Sequence, residues 1–306
     1  MPKSGKTYTA SKFPKSLLLG FEKGYNAIPG ILAQPIEKWS DFKAVLRQLK
    51  TDEAKEKFET IIVDTLDIAY SLCEKYVCAQ NGVQAIGDIP FGKGFGAVEK
   101  EYDETLRSIL QMDYGLVMIS HATDKTFTDE DGHEYNQIVP TLDKRGTKVT
   151  VRMADIVGYS RSVMNDEGNT HTKLFTRGTP RYVAGTRFQY FPESIDFTYK
   201  NLVDAIGGAV EALEKEFGAD AVTSDNSNLY LDQTNDNIDV ADLITAFGNI
   251  AGELVEKDEA YFVPRIQAIT NRVLGKDKKI SEATPEQVDL VQVALDELKE
   301  LAKKSK

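Results

Sequence analysis

Residues 60–65 read TIIVDT, two isoleucines and a valine between threonines, with an aspartate near the end. A run this short, apolar and β-branched predicts a strand buried on both faces, the strand type of parallel sheets. Two further runs read the same way, SLLLGF at 16–21 and YGLVMISH at 114–121. Between them lie segments with helical spacing at 36–50 (entered through Ser40-Asp41), 66–80 and 97–112. Beyond them come hairpin signals. TDEDGHE at 128–134 carries Asp131-Gly132, Asn165–Gly168 is a second turn, and strand-like runs occupy 154–160 and the KLFTRG segment from Lys173. The alternation of strand and helix, followed by hairpins, predicts an α/β fold with a mostly parallel sheet and an antiparallel extension. The glycine-rich FGKGFG at 91–96 is read as a loop, and it lacks the preceding strand that a dinucleotide fingerprint requires.

The predicted organisation is a core over 1–217, an acidic linker over 218–238 and a small helical region over 239–306. The last has helical patterns at 239–256, 259–274 and 285–303, with Thr284, Pro285 and Gln287 forming a helix-start signal. Hydrophobic residues make up 41% of the 306 positions and charged residues 28%, as in a globular protein with a real core. No apolar run nears the ~20 residues that span a bilayer, and no apolar leader opens the chain, so a cytoplasmic, membrane-free setting is expected. Cys73 and Cys78 are the only cysteines, which excludes a disulfide framework and a four-thiolate zinc site. A net charge of −11 argues against indiscriminate nucleic-acid binding, yet residues 1–50 hold nine lysines and arginines against three acids.

PKSGKT at 2–7 is the back half of the phosphate-binding pattern G-x-x-x-x-G-K-[ST], whose first glycine would stand one position ahead of Met1. Such a loop surrounds phosphates with backbone N–H groups; its lysine adds a cation and its hydroxyl residue binds Mg²⁺. Ser4 and Gly5 would supply loop backbone, Lys6 the cation and Thr7 the hydroxyl. Asp64 closes its strand where a second acid for the metal belongs. Glu22 follows the strand after the loop, where a carboxylate can take a proton from water. His121 follows a third strand, where a polar side chain can sense the γ-phosphate. Ligands of open α/β sheets bind beyond the carboxyl ends of the strands, and these residues stand at such ends.

PKSGKT, LLLGFEKG, TIIVDTLD and GLVMISHA, in that order, together with RGTPRYVAGTRFQYFP, resemble the phage-encoded RecA-like P-loop ATPases related to Sak-type single-strand annealing proteins. The resemblance covers about residues 1–215. It implies a RecA-like core, ATP on Lys6 and Thr7, Mg²⁺ on Asp64, Glu22 as catalytic base, and His121 coupling nucleotide state to a DNA-contacting loop. That family carries a strand and a glycine ahead of PKSGKT, the strand being central in the sheet. Without it, two strand neighbours are expected to be exposed and the phosphate cradle open.

By position, 122–152 resembles the DNA-binding loop region of RecA-like proteins, and Lys144, Arg145, Lys148 and Arg152 would track a phosphate backbone. A solvated hairpin is the competing reading. Arg181 or Arg187 would serve as a finger completing a neighbour's site in a homo-oligomer. The implied role is a DNA-dependent ATPase in phage recombination, annealing or repair. Its partners would be single-stranded DNA and other phage recombination or replication proteins. Two alternatives stay open on the sequence alone: a non-enzymatic DNA-binding or adaptor protein with a relic loop, and a replication helicase loader.

Overall fold

Ser16–Gly20 (β1), Ala33–Pro35 (β2), Thr60–Asp64 (β3) and Gly115–Ile119 (β4) form one parallel sheet in the order β2-β1-β3-β4. The computed structural model describes residues 4–165, 167–218, 240–276 and 278–303. Side chains alternate across a strand, so the continuous apolar runs feed two cores. Leu17, Leu19, Ile61 and Val63 point to the larger one. It is closed by helices Trp39–Leu49 (α2), Leu66–Gln80 (α4) and Lys93–Gln111 (α5). Leu18, Ile62 and Ile119 point the other way, against Ala10 and the half-buried Tyr25. Trp39 donates its indole N–H to Glu101 at 2.8 Å, and Lys43 Nζ reaches the same oxygen at 2.9 Å, tying α2 to α5.

The short helix Lys6–Ala10 (α1) precedes β1, and Asp52–Lys57 (α3) precedes β3. Ala122–Thr128 (β5) and Glu134–Pro140 (β6) form an antiparallel hairpin after β4. Lys144–Met153 (α6) follows, then Ile156–Val157 (β7), Tyr159–Met164 (β8), Thr170–Phe175 (β9), Gly185–Thr186 (β10) and Ser194–Asp196 (β11). These late strands pair antiparallel, β8 with β9, β9 with β11 and β7 with β10, which is the antiparallel extension. Tyr199–Phe217 (α7) completes the compact unit Met1–Thr223.

The second unit, Ser224–Lys306, contains Val240–Lys257 (α8), Glu259–Leu274 (α9) and Val288–Lys303 (α10) around its own core of Leu243, Phe247, Leu254, Phe262, Leu295 and Leu298. Gln287 Oε1 accepts the Thr284 amide at 3.1 Å, on a 3₁₀ turn that leads into α10. The acidic linker expected over 218–238 lies, past Gly218, outside the described residues. Among the described residues no helix is long and apolar enough to cross a membrane.

Two segments depart from the sequence reading. The FGKGFG run is not a loop throughout, because α5 begins at Lys93 inside it. Gly94 is required there: a Cβ would lie 2.7 Å from the Ile86 carbonyl oxygen, so only glycine lets the helix start press against that turn. Nor do the basic residues at 144–152 ride a loop. Asp143 caps α6 by accepting the Arg145 amide at 2.7 Å, and Gly146, Val149, Thr150 and Met153 form its buried stripe.

Among the described residues β4 pairs with β3 alone. Gly115–Ile119 line a mostly apolar cavity of about 500 Å³ together with Lys6, Phe13 and Ile156–Ser160.

Candidate functional site

The register of the parallel sheet builds the site. Gly20 of β1 lies level with Asp64 of β3, and Asp64 level with Ile119 of β4. All three strands therefore end on one line. Glu22 and His121, each two residues past its strand end, reach over the same rim that Asp64 occupies. The Phe21 and Glu22 amides both donate to the Asp64 carbonyl, at 2.8 and 3.3 Å, which holds the turn carrying Glu22 against β3.

Gly5 adopts φ 75, ψ 10, the left-handed region open to glycine at little cost, and from it the chain turns into α1. That turn sets Lys6 and Thr7 over the strand ends. The Thr7 hydroxyl donates to Asp64 Oδ2 at 2.6 Å. Lys6 Nζ donates to the Ser4 hydroxyl at 3.4 Å, and Ser4 Oγ lies 2.9 Å from Ser160 Oγ in a buried pair that anchors the loop to β8. Pro2 and Lys3 of the motif lie outside the described residues.

Electrostatics at this rim are dominated by burial. Desolvation holds the Lys6 ammonium below its ordinary pKa, opposed by the carboxylates of Asp64, Asp67 and Glu22. Desolvation likewise pushes the Asp64 carboxyl above its ordinary value, and Glu22 adds to the shift; the Thr7 hydrogen bond, Lys6 and His121 pull the other way without cancelling it. A carboxylate held in this state gains from a cation. The donors are hard oxygens, a hydroxyl and a carboxylate, the set that suits Mg²⁺.

His121 Nε2 lies 2.9 Å from Glu22 Oε1, and both side chains are about a third exposed, 33% and 35%. His121 Nδ1 is buried with no hydrogen-bond partner among the described residues. With Nε2 carrying the proton and donating to Glu22, and none on Nδ1, no buried donor is left unpaired.

Asp67 was not singled out from the sequence. Its carboxylate accepts from Thr141 Oγ1 at 3.1 Å and Ser120 Oγ at 3.5 Å, and its charge reaches Lys6. The Thr141 amide also donates to the His121 carbonyl at 3.0 Å, so the root of the β5–β6 hairpin is tied to the rim. The signal for Asp67 was its place three residues after Asp64, in the first turn of α4. Ser120, Thr141 and Ser160 had no sequence signal.

The remaining candidates are not joined to this cluster by any hydrogen bond or ion pair among the described residues. Lys148 pairs with Glu99 at 2.9 Å, and Arg145 lies 3.9 Å from it. Lys144 and Arg152 are exposed on α6. Arg187 pairs with Asp155 at 2.8 Å and donates to the Arg152 carbonyl, while Arg177 pairs with Glu193 at 2.6 Å. Arg181 is exposed, and its carbonyl accepts from Ile138 of β6 at 2.8 Å. His133, isolated in sequence, has Asp129 and Asp131 within 4.8 Å at the hairpin tip, all three exposed.

Residues 1–188 match a family model described as an AAA domain. Over 306 aligned residues the chain is 33% identical to the SPbeta prophage-derived uncharacterized protein YorG of Bacillus subtilis (strain 168), covering 97% of this chain and 90% of that protein.

Proposed function

The chain belongs to the AAA domain family, and from that premise we propose that it is a phage ATPase that turns over ATP with Mg²⁺ in the service of single-stranded DNA recombination or annealing. The observation that carries the reading is the convergence of Lys6, Thr7, Asp64, Glu22 and His121 on one rim of the parallel sheet. Lys6 places its cation on the β- and γ-phosphates. Thr7 and Asp64 would hold Mg²⁺, which when bound offsets phosphate charge. Glu22, oriented by the His121 N–H, takes the proton of a water that attacks the γ-phosphorus as the bond to ADP breaks. His121 senses the γ-phosphate through Glu22 and the attacking water, and its carbonyl is tied to the hairpin root. Nucleotide state thereby reaches the hairpin and α6.

The phage assignment rests on the prophage-derived relative. The DNA assignment rests on the exposed cations of α6 and on the Sak-type resemblance. Single-stranded DNA and phage recombination or replication proteins are the proposed partners, in the host cytoplasm. A homo-oligomer is the proposed working form, with the exposed Arg181 as the finger. Arg187 already holds Asp155, which makes it the weaker candidate. One observation favours a relic-loop adaptor instead: the edge of β4 that pairs with nothing among the described residues leaves an apolar cavity beside the phosphate loop.

Purified protein supplied with ATP and Mg²⁺ is the test. The unaltered chain releases phosphate and Lys6→Ala abolishes ATP binding. Equal ATP binding by both proteins, or none by either, overturns the reading.

A further inference from the structure

Phe91 is 95% exposed and sits at φ 59, ψ 23, a left-handed conformation that is unfavourable for a bulky side chain. A phenylalanine held open to water in that way has no role in the core. Phe95, one helical turn on, is also exposed, and the Arg145 guanidinium lies 4.7 Å above its ring. From Ile89 to Val98 the only charged residue is Lys93, and the first turn of α5 carries no acid. The facing helix α6 adds Arg145 and Lys148, both satisfied by one carboxylate, Glu99. That pairing is solvent-exposed and therefore weak. On a chain of net charge −11, this is a local basic surface with one open ring, Phe91, and a second, Phe95, that carries the Arg145 guanidinium on one face.

Exposed rings alone would suit any apolar partner. The cations carried at the facing ends of the same two helices select one that offers flat faces and negative charge together, which is the chemistry of single-stranded nucleic acid. We infer that Phe91 and Phe95, with Lys93, Arg145 and Lys148 around them, form the contact for single-stranded nucleic acid. Bases stack on the two rings, and backbone phosphates replace Glu99 as the partner of Arg145 and Lys148. The inference deepens the DNA-directed reading above by naming its contact, the facing ends of α5 and α6.

The experiment uses the full chain and a fluorescently labelled oligothymidylate, read by anisotropy over a range of salt. Phe91→Ala with Phe95→Ala weakens binding by roughly tenfold or more while leaving the salt slope in place. Lys93→Ala with Lys148→Ala makes the slope shallower, by roughly one unit of log affinity per log salt for each phosphate no longer neutralised. DNA-free ATP binding is unchanged in both variants. Phe91→Ala alone keeps the far-ultraviolet circular dichroism and Tm of the unaltered protein, because its ring is almost fully exposed. Oligothymidylate binding unaffected by the double phenylalanine variant overturns the inference, as does no binding by the unaltered chain at low salt. A fall in solution mass that accompanies the weakened binding also overturns it, since the patch is then a subunit interface. Failure of the ATPase reading through Lys6→Ala leaves the anisotropy result standing, so the two failures are told apart.

Discussion

Glu22 and His121 are 99 positions apart in the chain and 2.9 Å apart in the fold. The contact depends on strand register, because each residue stands two places beyond strand ends that Asp64 aligns. Glu22→Gln keeps the side chain's shape and removes its basicity. We expect ATP binding to persist while turnover falls by about 10²–10⁴-fold, the usual contribution of a general base. Equilibrium binding of a fluorescent ATP analogue beside steady-state phosphate release checks this.

His121→Ala removes the donor that orients Glu22 but leaves the carboxylate in place. The expected loss in kcat is smaller than for Glu22→Gln, with KM for ATP nearly unchanged, because His121 acts through Glu22. His121→Gln retains an N–H donor and is expected to recover part of the rate. A variant series in which His121→Ala raises KM and spares kcat would instead make His121 a ground-state phosphate ligand.

Asp64 sets stability against function. Its folded pKa lies above the ordinary 3.8 because burial outweighs the Thr7 hydrogen bond and the Lys6 charge. The folded chain thus binds this proton more tightly than the unfolded chain. Stability from this group falls as pH rises upward from about 3.8, and at neutral pH the ionised form is a net cost. Asp64→Asn is therefore expected to raise Tm at pH 7 while abolishing Mg²⁺-dependent turnover. Thermal melts at pH 7 beside phosphate release decide it, and a lower Tm for the variant contradicts the sign.

At the alkaline end, burial pushes the Cys73 thiol above its ordinary 9.0 and the Tyr70 and Tyr102 phenols above their ordinary 10.0. For acids held neutral in the fold, stability is lost as pH rises past the unfolded values. Tm is expected to decline from about pH 9 upward, and a thiol reagent should reach Cys73 only as the chain unfolds. Rapid labelling of Cys73 in the folded protein at pH 8 would contradict the burial that underlies both shifts. The Lys43–Glu101 pair acts in the same direction: burial lowers the Lys43 pKa, but the Glu101 hydrogen bond and charge, with Tyr76, together outweigh it and raise the value above 10.5, so the pair's contribution fades as Lys43 loses its proton.

The parallel core and most of the rim were legible because they rest on local signals. TIIVDT, SLLLGF and GLVMISH announce buried strands by composition, and the polar residues beyond each run mark a common edge once the strands are parallel. The start of α5 was hidden because glycine argues against helix. Gly94 is there for the close approach to Ile86, a tertiary requirement that sequence propensity does not carry. For α6 the signal was present and outweighed by the expected loop: Asp143 as cap and apolar or small residues at 146, 149, 150 and 153. The Ser4–Ser160 pair and the Asp67–Thr141 bond join residues 156 and 74 positions apart, and no local pattern reports them.

The cavity beside β4 is lined by that strand, which pairs with β3 alone among the described residues, and by the β7–β8 segment. The lining is largely apolar, so water in it gains few hydrogen bonds. Ser4 is bonded to Ser160, which lines this space. An extended apolar segment fused ahead of Met1 can pair with β4 and bury its side chains between the two walls, as strand addition does elsewhere. A short valine- and isoleucine-rich extension ending in glycine is expected to raise Tm by several degrees and tighten ATP binding. A serine- and aspartate-rich extension of equal length is expected to do neither. Because both fusions lengthen the chain equally, a Tm that rises alike for both would mean that the edge of β4 is not what the extension meets.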